Sequence, residues 1–312
     1  MAIARPTARP PIHSPFVCGL TMARPSEVKG LGPRSRVSKA GALLLAARLA
    51  DVREYERRLN PRPARDAVHD ARVSTRRLRS AIDLFGKPKL RQYENRVKAL
   101  QDALGGVRDL QLQIQWLQSQ AKSRQSAVRP IIAEQRRKLT TVARQLHRNA
   151  LRWRAETAPA LLKAIVSVRS NGRLGGNRMR RRLDKKLARV IPQLEAFNDS
   201  TDAQTIHRLR IALKKLRYDV ELLQAAFPAY AGLGLSVLAP LQGELGSVHD
   251  KDVRLELLAK SAARASKRDR AEIESLLSEV LSSRRQDVEA LSEKIHWLVS
   301  EKIPDRLRRL LD

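Results

Sequence analysis

The chain has 312 residues and carries 62 Lys and Arg against 32 Asp and Glu, a formal net charge of +30. A hydrophobic share of 42% suffices for a core and argues against wholesale disorder, and no apolar run approaches the roughly 18 to 20 residues of a membrane-spanning helix. The single cysteine, Cys18, excludes an internal disulfide framework or a thiolate metal cluster and fits a reducing cytoplasm, while three Trp, four Tyr and four Phe are too few to stack single-stranded bases. Duplex DNA and simpler polyanions remain as partners for the charge.

Residues 1–37 hold six prolines and, up to residue 40, one acid, Glu27, with no helical or strand period, so the segment is expected to be disordered. Its apolar patch from Pro15 to Ala23 lacks the uninterrupted run and small-residue cleavage site of a signal peptide, and Met22 is an alternative start. From Ser38 onward Leu, Ala, Arg, Gln and Glu recur at helical spacing. The breakers are Pro61, Pro63, Pro88, Gly105-Gly106, Pro130, Pro159, Gly172, Gly175-Gly176, Pro192, Pro228 and Gly232, which give segments such as Ala40 to Leu59 and Ala127 to Leu151. The expectation is an all-α protein of antiparallel bundle helices.

The helical text is written twice. Val68–Phe85 aligns with Ile206–Leu223 at an offset of 138, pairing His69 with His207, Arg72 with Arg210, Arg76 and Arg77 with Lys214 and Lys215, and Arg79 with Arg217. Leu100–Asp109 aligns with Leu241–Asp250 at an offset of 141. Two matched segments in one order predict two pseudo-two-fold-related bundles, about 38–170 and about 176–312, divided near Asn171 to Gly176.

At about 100° per residue, with His69 at about 0°, Arg72, Arg76 and Arg79 fall at about 300°, 340° and 280°. Val68, Ala71, Thr75, Leu78, Ile82 and Phe85 occupy about 160° to 260°, and Ile206, Leu209, Leu213, Leu216, Val220 and Leu223 repeat the pattern. Each helix therefore sets a core stripe beside a stripe of one His and three cations, with an acid only at its far end, Asp83 or Glu221. Uncompensated like charges cost helix stability. A stripe that is locally unfavourable and duplicated reads as an anion site in preference to a solvated face.

These segments resemble the signature of the CHAD family, the conserved histidine α-helical domain: His, Arg three later, a basic pair at seven and eight, and a further Arg at ten. The resemblance spans roughly residues 38–312. It implies two symmetric helical bundles with a basic groove or pore between them, binding of inorganic polyphosphate, and association with polyphosphate granules in the cytoplasm. Carried over, it assigns polyphosphate contact to His69, Arg72, Arg76, Arg77 and Arg79, and to His207, Arg210, Lys214, Lys215 and Arg217. Lys at 214 and 215 replaces the bidentate fork of Arg by a point charge.

Further cations extend these stripes. Arg65 lies one turn before His69, and Arg178, Arg182, Lys185 and Arg189 share one face opposite Met179, Leu183 and Leu187. Two readings of His69 and His207 stay open: a phosphate donor, or a neutral core-edge histidine donating to a backbone carbonyl. Asp109 and Asp250 follow glycine-containing breaks and read as N-caps or as salt-bridge partners of a motif Arg. His13, His147 and His296 carry no assigned role. Neither motif His has a metal-ligand pattern beyond Asp70, and no phosphate-binding Gly-rich loop, His-Glu-x-x-His or Gly-x-Ser-x-Gly occurs, so neither a metal, a cofactor nor an enzyme is expected. The alternatives are a basic helical nucleic-acid-binding protein and, motivated only by the paired histidines and acids, a metal-dependent phosphohydrolase.

Overall fold

Helical spacing from Val37 to Arg309 resolves into ten α-helices among the residues described by the computed structural model, 25–86, 88–121, 124–168, 170–199 and 202–311. The first five are α1 (Val37–Glu56), α2 (Arg65–Ala81), α3 (Arg91–Gln120), α4 (Gln125–Arg152) and α5 (Ala158–Val166). The second five are α6 (Asn177–Asp199), α7 (Ala203–Leu223), α8 (Pro228–Ala262), α9 (Lys267–Ser300) and α10 (Ile303–Arg309). No strand occurs among these residues beyond one isolated bridge between Arg36 and Arg173, as the all-α expectation requires.

The helices pair in the same order in both halves: α1 on α2, α2 on α3 and α3 on α4, then α6 on α7, α7 on α8 and α8 on α9. The halves meet where α2 packs on α7 and where α4 packs on α9. The apolar residues expected along α2 and α7, from Val68 to Phe85 and from Ile206 to Leu223, are all buried in one hydrophobic core that runs through both halves, with Thr75 buried beside them and Ile82 and Phe85 in the π-helical turn that follows α2. A second, smaller core joins the hairpin tips, with Leu117, Val128 and Ile131 of the first half against Leu258, Ile273 and Leu276 of the second.

Several expected breakers lie inside helices. Gly105-Gly106 sits within α3, Pro130 within α4, Pro192 within α6 and Gly232 within α8. Proline in a helix interior costs about 3 kcal/mol, but burying one Val or Ile side chain returns roughly 1.5 to 3 kcal/mol, and Val128, Ile131 and Ile132 flank Pro130 in the tip core. Asp109 and Asp250 consequently lie well inside α3 and α8, where no N-cap exists. The caps that do form are Asp202, which accepts from Gln204 N (2.6 Å) and Thr205 N (2.8 Å), and Ser266, which accepts from Asp269 N (3.2 Å).

The expectation of disorder up to residue 37 is corrected for residues 25–36, which form a strap. Ser35 O accepts from Leu174 N (2.8 Å), Pro33 O from Gly175 N (2.9 Å), and Val37 N donates to Gly172 O (2.9 Å), while Ser26 is held by Asp51 and Arg48. Tertiary backbone hydrogen bonds order a segment that has no periodicity of its own. They tie the strap to the glycine-rich linker between α5 and α6, where Gly172 has φ +94° and a Cβ on Gly175 would stand 2.8 Å from Pro33 Cβ. Residues 1–24, with Cys18, His13, Met22 and the Pro15 to Ala23 patch, lie outside the described residues.

Candidate polyanion-binding site

Beside the buried stripes of α2 and α7, Arg72 and Arg76 of one helix and Arg210 and Lys214 of the other come together at the contact between the two halves, while His69 faces charged neighbours of the first half alone. Arg72, Arg76, Arg210 and Lys214 act on one another electrostatically across that contact. Burial, then Arg76, draws the Arg72 guanidinium down to about 10, with Asp109 and Tyr218 opposing and Arg210 adding to the depression. Lys214 is drawn down to about 6, first by burial and then by Arg76, Arg210 and Arg72, with Asp250 the acid that opposes them. Arg210 is lowered by burial and by Arg76, against Asp250 and Asp109. Three arginines and a lysine from the two repeats thus share one partly desolvated space, where charge on any one opposes charge on the others.

The floor comes from α3 and α8. Arg108 on α3 is buried and lies beside His69, which burial and then Arg108, Arg72, Arg76 and Arg77 hold below the usual histidine value. His69 is therefore neutral near pH 7, and its Nε2 is buried with no hydrogen-bond partner among the described residues. In the second half His249 takes the place of Arg108. Its ring centroid lies 6.0 Å from that of His207, and burial, then Arg210 and His207, draws it down to about 4.

Asp109 reaches Arg72 at 3.8 Å, the salt-bridge half of the reading made from sequence. Asp250 is exposed at the edge of the cluster, and crowding by surrounding protein, with Asp109 nearby, raises its carboxyl against the pull of Arg254, Arg210 and Arg72. Arg254 in turn stacks over Trp116 of α3, 5.0 Å from the ring centroid. A Cβ on Gly105 would lie 3.9 Å from Arg72 Nε, so the Arg72 side chain runs along the α3 backbone.

Arg79 donates to Gln101 Oε1 of α3 (3.2 Å), but its Nε, like that of Arg210, is buried without a partner. Orphaned buried donors each cost about 1 to 3 kcal/mol, more when charged. With His69 Nε2 they are the unsatisfied polar atoms of the motif residues.

Other residues singled out from sequence lie elsewhere. Arg77 (7% exposed) and Arg217 (6%) grip the same carboxylate, Glu221, at 3.1 and 3.0 Å, and Arg217 also stacks over Tyr218. Arg182 donates to Asp219 Oδ2 (2.8 Å) and pairs with Asp83; burial lowers it, but these two carboxylates leave it raised overall. Lys186 joins the same two acids, Asp219 at 3.6 Å and Asp83 at 3.9 Å. The acids at the ends of the repeated helices are therefore held across the interface: Arg77 of the first half takes Glu221 of the second, and Arg182 and Lys186 of the second take Asp83 of the first. Lys215, Lys185, Arg189 and Arg65 are exposed, and Arg178, also exposed, bonds Ser170. His147, given no role from sequence, meets Leu59 O through Nδ1 at 2.9 Å.

Arg108 and His249 are the additions that helix-by-helix reading missed. Their signal was present in the second aligned pair, where Val107-Arg108-Asp109 stands opposite Val248-His249-Asp250. Among the described residues no three His, Cys, Asp or Glu side chains form a group able to hold a metal, and no helix is long and apolar enough to cross a membrane.

A profile described as the CHAD domain matches residues 43–259. Among solved structures, the chain is similar to the CHAD domain from the plant Ricinus communis, with a TM-score of 0.69 at 20% identity, over 91% of this chain and 97% of that one. It is also similar to PptA from Streptomyces chartreusis, with a TM-score of 0.60 at 16% identity, over 85% of this chain and 100% of that one. A comparison with curated proteins finds no match.

Proposed function

Because the chain belongs to the CHAD domain family, we propose that it is a binding protein for inorganic polyphosphate, held between its two halves and serving a granule-associated or targeting role in the cytoplasm. The observation that carries this reading is the cluster of Arg72, Arg76, Arg210 and Lys214 with the orphaned Nε donors of Arg79 and Arg210 and the unpartnered Nε2 of His69. Mutually repelling, partly desolvated cations are stabilised by a ligand that brings negative charge and many acceptor oxygens and needs no base-edge recognition. The repeated helix pairing supports two copies of one unit facing each other, and the contacts at α2/α7 and at the hairpin tips flank the part of α3 and α8 that bears Arg108, Asp109, His249 and Asp250. Asp109 is about 12 Å along α3 from Leu117 in the tip core, enough for a chain to pass between the two contacts.

Binding without turnover is part of the proposal, since the acids nearest the cluster already face arginines and do not converge as a catalytic set. Arg77, Arg182 and Arg217 hold the halves together in this reading, and contact with polyphosphate falls to His69, Arg72, Arg76, Arg79, His207, Arg210 and Lys214. The test is titration of the purified protein, at physiological salt, with long-chain polyphosphate in the presence of excess duplex DNA. Tight binding that DNA does not displace supports a shaped receptor. Displacement at comparable phosphate concentration would reduce the cluster to generic charge and favour the nucleic-acid reading.

A further inference from the structure

The strap at residues 25–36 covers a space of its own. It is anchored at Ser26 on Asp51 and Arg48 of α1 and, at residues 33–35, on the linker between the halves. Between these anchors it closes one side of a cavity of about 790 Å³ whose other sides are α1, α2, α7 and α8, a volume in the range of small-molecule sites. Much of the lining is aliphatic: Val28 and Leu31 of the strap, Leu44 of α1, Leu222 of α7 and Leu235 of α8. The rest is charged and includes Arg48, Arg77 and Glu221. Glu221 is already gripped by Arg77 and Arg217 through separate oxygens. Asp51, 4% exposed, accepts from Ser26 N at 3.2 Å beside its 3.4 Å pair with Arg48. Arg48, 5% exposed, donates to Ser26 O through one terminal nitrogen, but its Nε is buried with no hydrogen-bond partner among the described residues. A buried guanidinium with an unsatisfied donor favours a further acceptor oxygen.

We propose that the cavity under the strap is a second binding site, for a small monocarboxylate with an aliphatic body, whose carboxylate meets Arg48 and whose body lies among Val28, Leu31, Leu222 and Leu235. The inference stands apart from the polyphosphate reading, because none of the cluster residues Arg72, Arg76, Arg210 and Lys214 lines this cavity. A planar carboxylate matches the guanidinium fork and concentrates its acceptor oxygens at one end of the molecule. Inorganic phosphate and polyphosphate carry polar oxygens on every side and would strand some of them against Leu44, Leu222 and Leu235, where an unpaired polar group is costly. Glu27 and Lys29, the exposed charged residues of the strap that also line the cavity, are of opposite sign, so the strap adds no net charge to the site. Because the strap forms one side, an occupant holds it down, and with it the linker that residues 33–35 bond.

The experiment is calorimetric titration of the full chain with sodium octanoate at physiological salt, beside hexanoate, acetate and the neutral octanamide. Octanoate is expected to saturate at one molecule per chain with a Kd below about 1 mM. Hexanoate, shorter by two methylenes at equal charge, should bind roughly tenfold more weakly, and acetate and octanamide at least about tenfold more weakly than octanoate. Saturating long-chain polyphosphate should leave octanoate binding unchanged. Arg48→Lys keeps the charge but removes Nε and should weaken octanoate about tenfold. Leu235→Glu, at a half-buried position of the wall, places a carboxylate against the ligand and should abolish binding. Circular dichroism shows whether each variant folds, and Leu235→Glu carries the test if Arg48→Lys does not. Equal affinity for octanamide, no dependence on chain length, or binding that neither folded variant changes would overturn the inference, as would the absence of saturable binding up to about 10 mM. Displacement of octanoate by polyphosphate would place the cavity on the polyanion's path and overturn it as well. Failure to bind octanoate leaves the polyphosphate reading untouched.

Discussion

Replacing Glu221 by Gln removes the one carboxylate that two buried arginines share. Arg77 and Arg217 are 7% and 6% exposed and approach its two oxygens at 3.1 and 3.0 Å, and Arg48, with burial lowering it, also lies within the field of Glu221. A Gln side chain keeps the shape and one acceptor oxygen but withdraws the negative charge that both guanidiniums contact. Breaking a buried ion pair from one side costs about 3 to 5 kcal/mol. At roughly 2 °C or more per kcal/mol for a chain of this size, the thermal midpoint should fall by at least about 6 °C. Because Arg77 crosses from α2 to α7, the loss acts on the contact between the halves. The assay is equilibrium unfolding in urea beside a calorimetric scan without polyphosphate, with the double variant Arg77→Met/Glu221→Gln to close the cycle. A change below about 0.5 kcal/mol, or costs that simply add across the cycle, would refute the assignment of Arg77 and Arg217 to structural pairing.

The opposite outcome is expected in the cluster: Arg210→Met should leave stability unchanged or raise it by about 1 kcal/mol, since repulsion from Arg76 is relieved, while weakening polyphosphate binding about tenfold or more, read by unfolding and titration of one preparation. Arg72→Ala, Arg76→Ala and Arg79→Ala together should abolish binding with the helical signal intact, and retained affinity for long chains would count against the site. Affinity should fall steeply as salt rises from about 50 to about 200 mM, measured as the slope of log Kd on log salt. Glu56, 1% exposed, is raised to about 7 by burial, against Arg154, Arg53 and Arg57. A raised acid stabilises the fold below its unfolded value near 4.5, and that contribution is lost as pH climbs through about 7. Glu56→Gln should therefore match wild type near pH 4.5 and gain on it by about 1 to 3 kcal/mol near pH 8, by unfolding midpoints at both pH values.

Helical class, the doubled segment and the buried stripes of α2 and α7 were legible in the amino-acid order, because the apolar period of an amphipathic helix is a local property that survives folding. So was the shared stripe of His69, Arg72 and Arg76, since three- and four-residue steps put side chains on one face whatever the helix packs against. Breakers misled at Gly105-Gly106 and Pro130, where burial of the neighbouring Leu104, Val107, Val128 and Ile131 outweighs a local helix cost. Disorder was overstated for the strap at 25–36, whose order comes from hydrogen bonds to residues 172–175, far away in sequence. Periodicity could not separate cations of equal type. Arg79 and Arg217 are matched by position, yet one turns to Gln101 and the other is buried on Glu221, because each answers to a neighbour from another helix. The packing of α2 on α7 decides which arginines meet across the halves and repel, and which find a carboxylate. Charge interactions depend on distance and burial, and both belong to the tertiary structure alone.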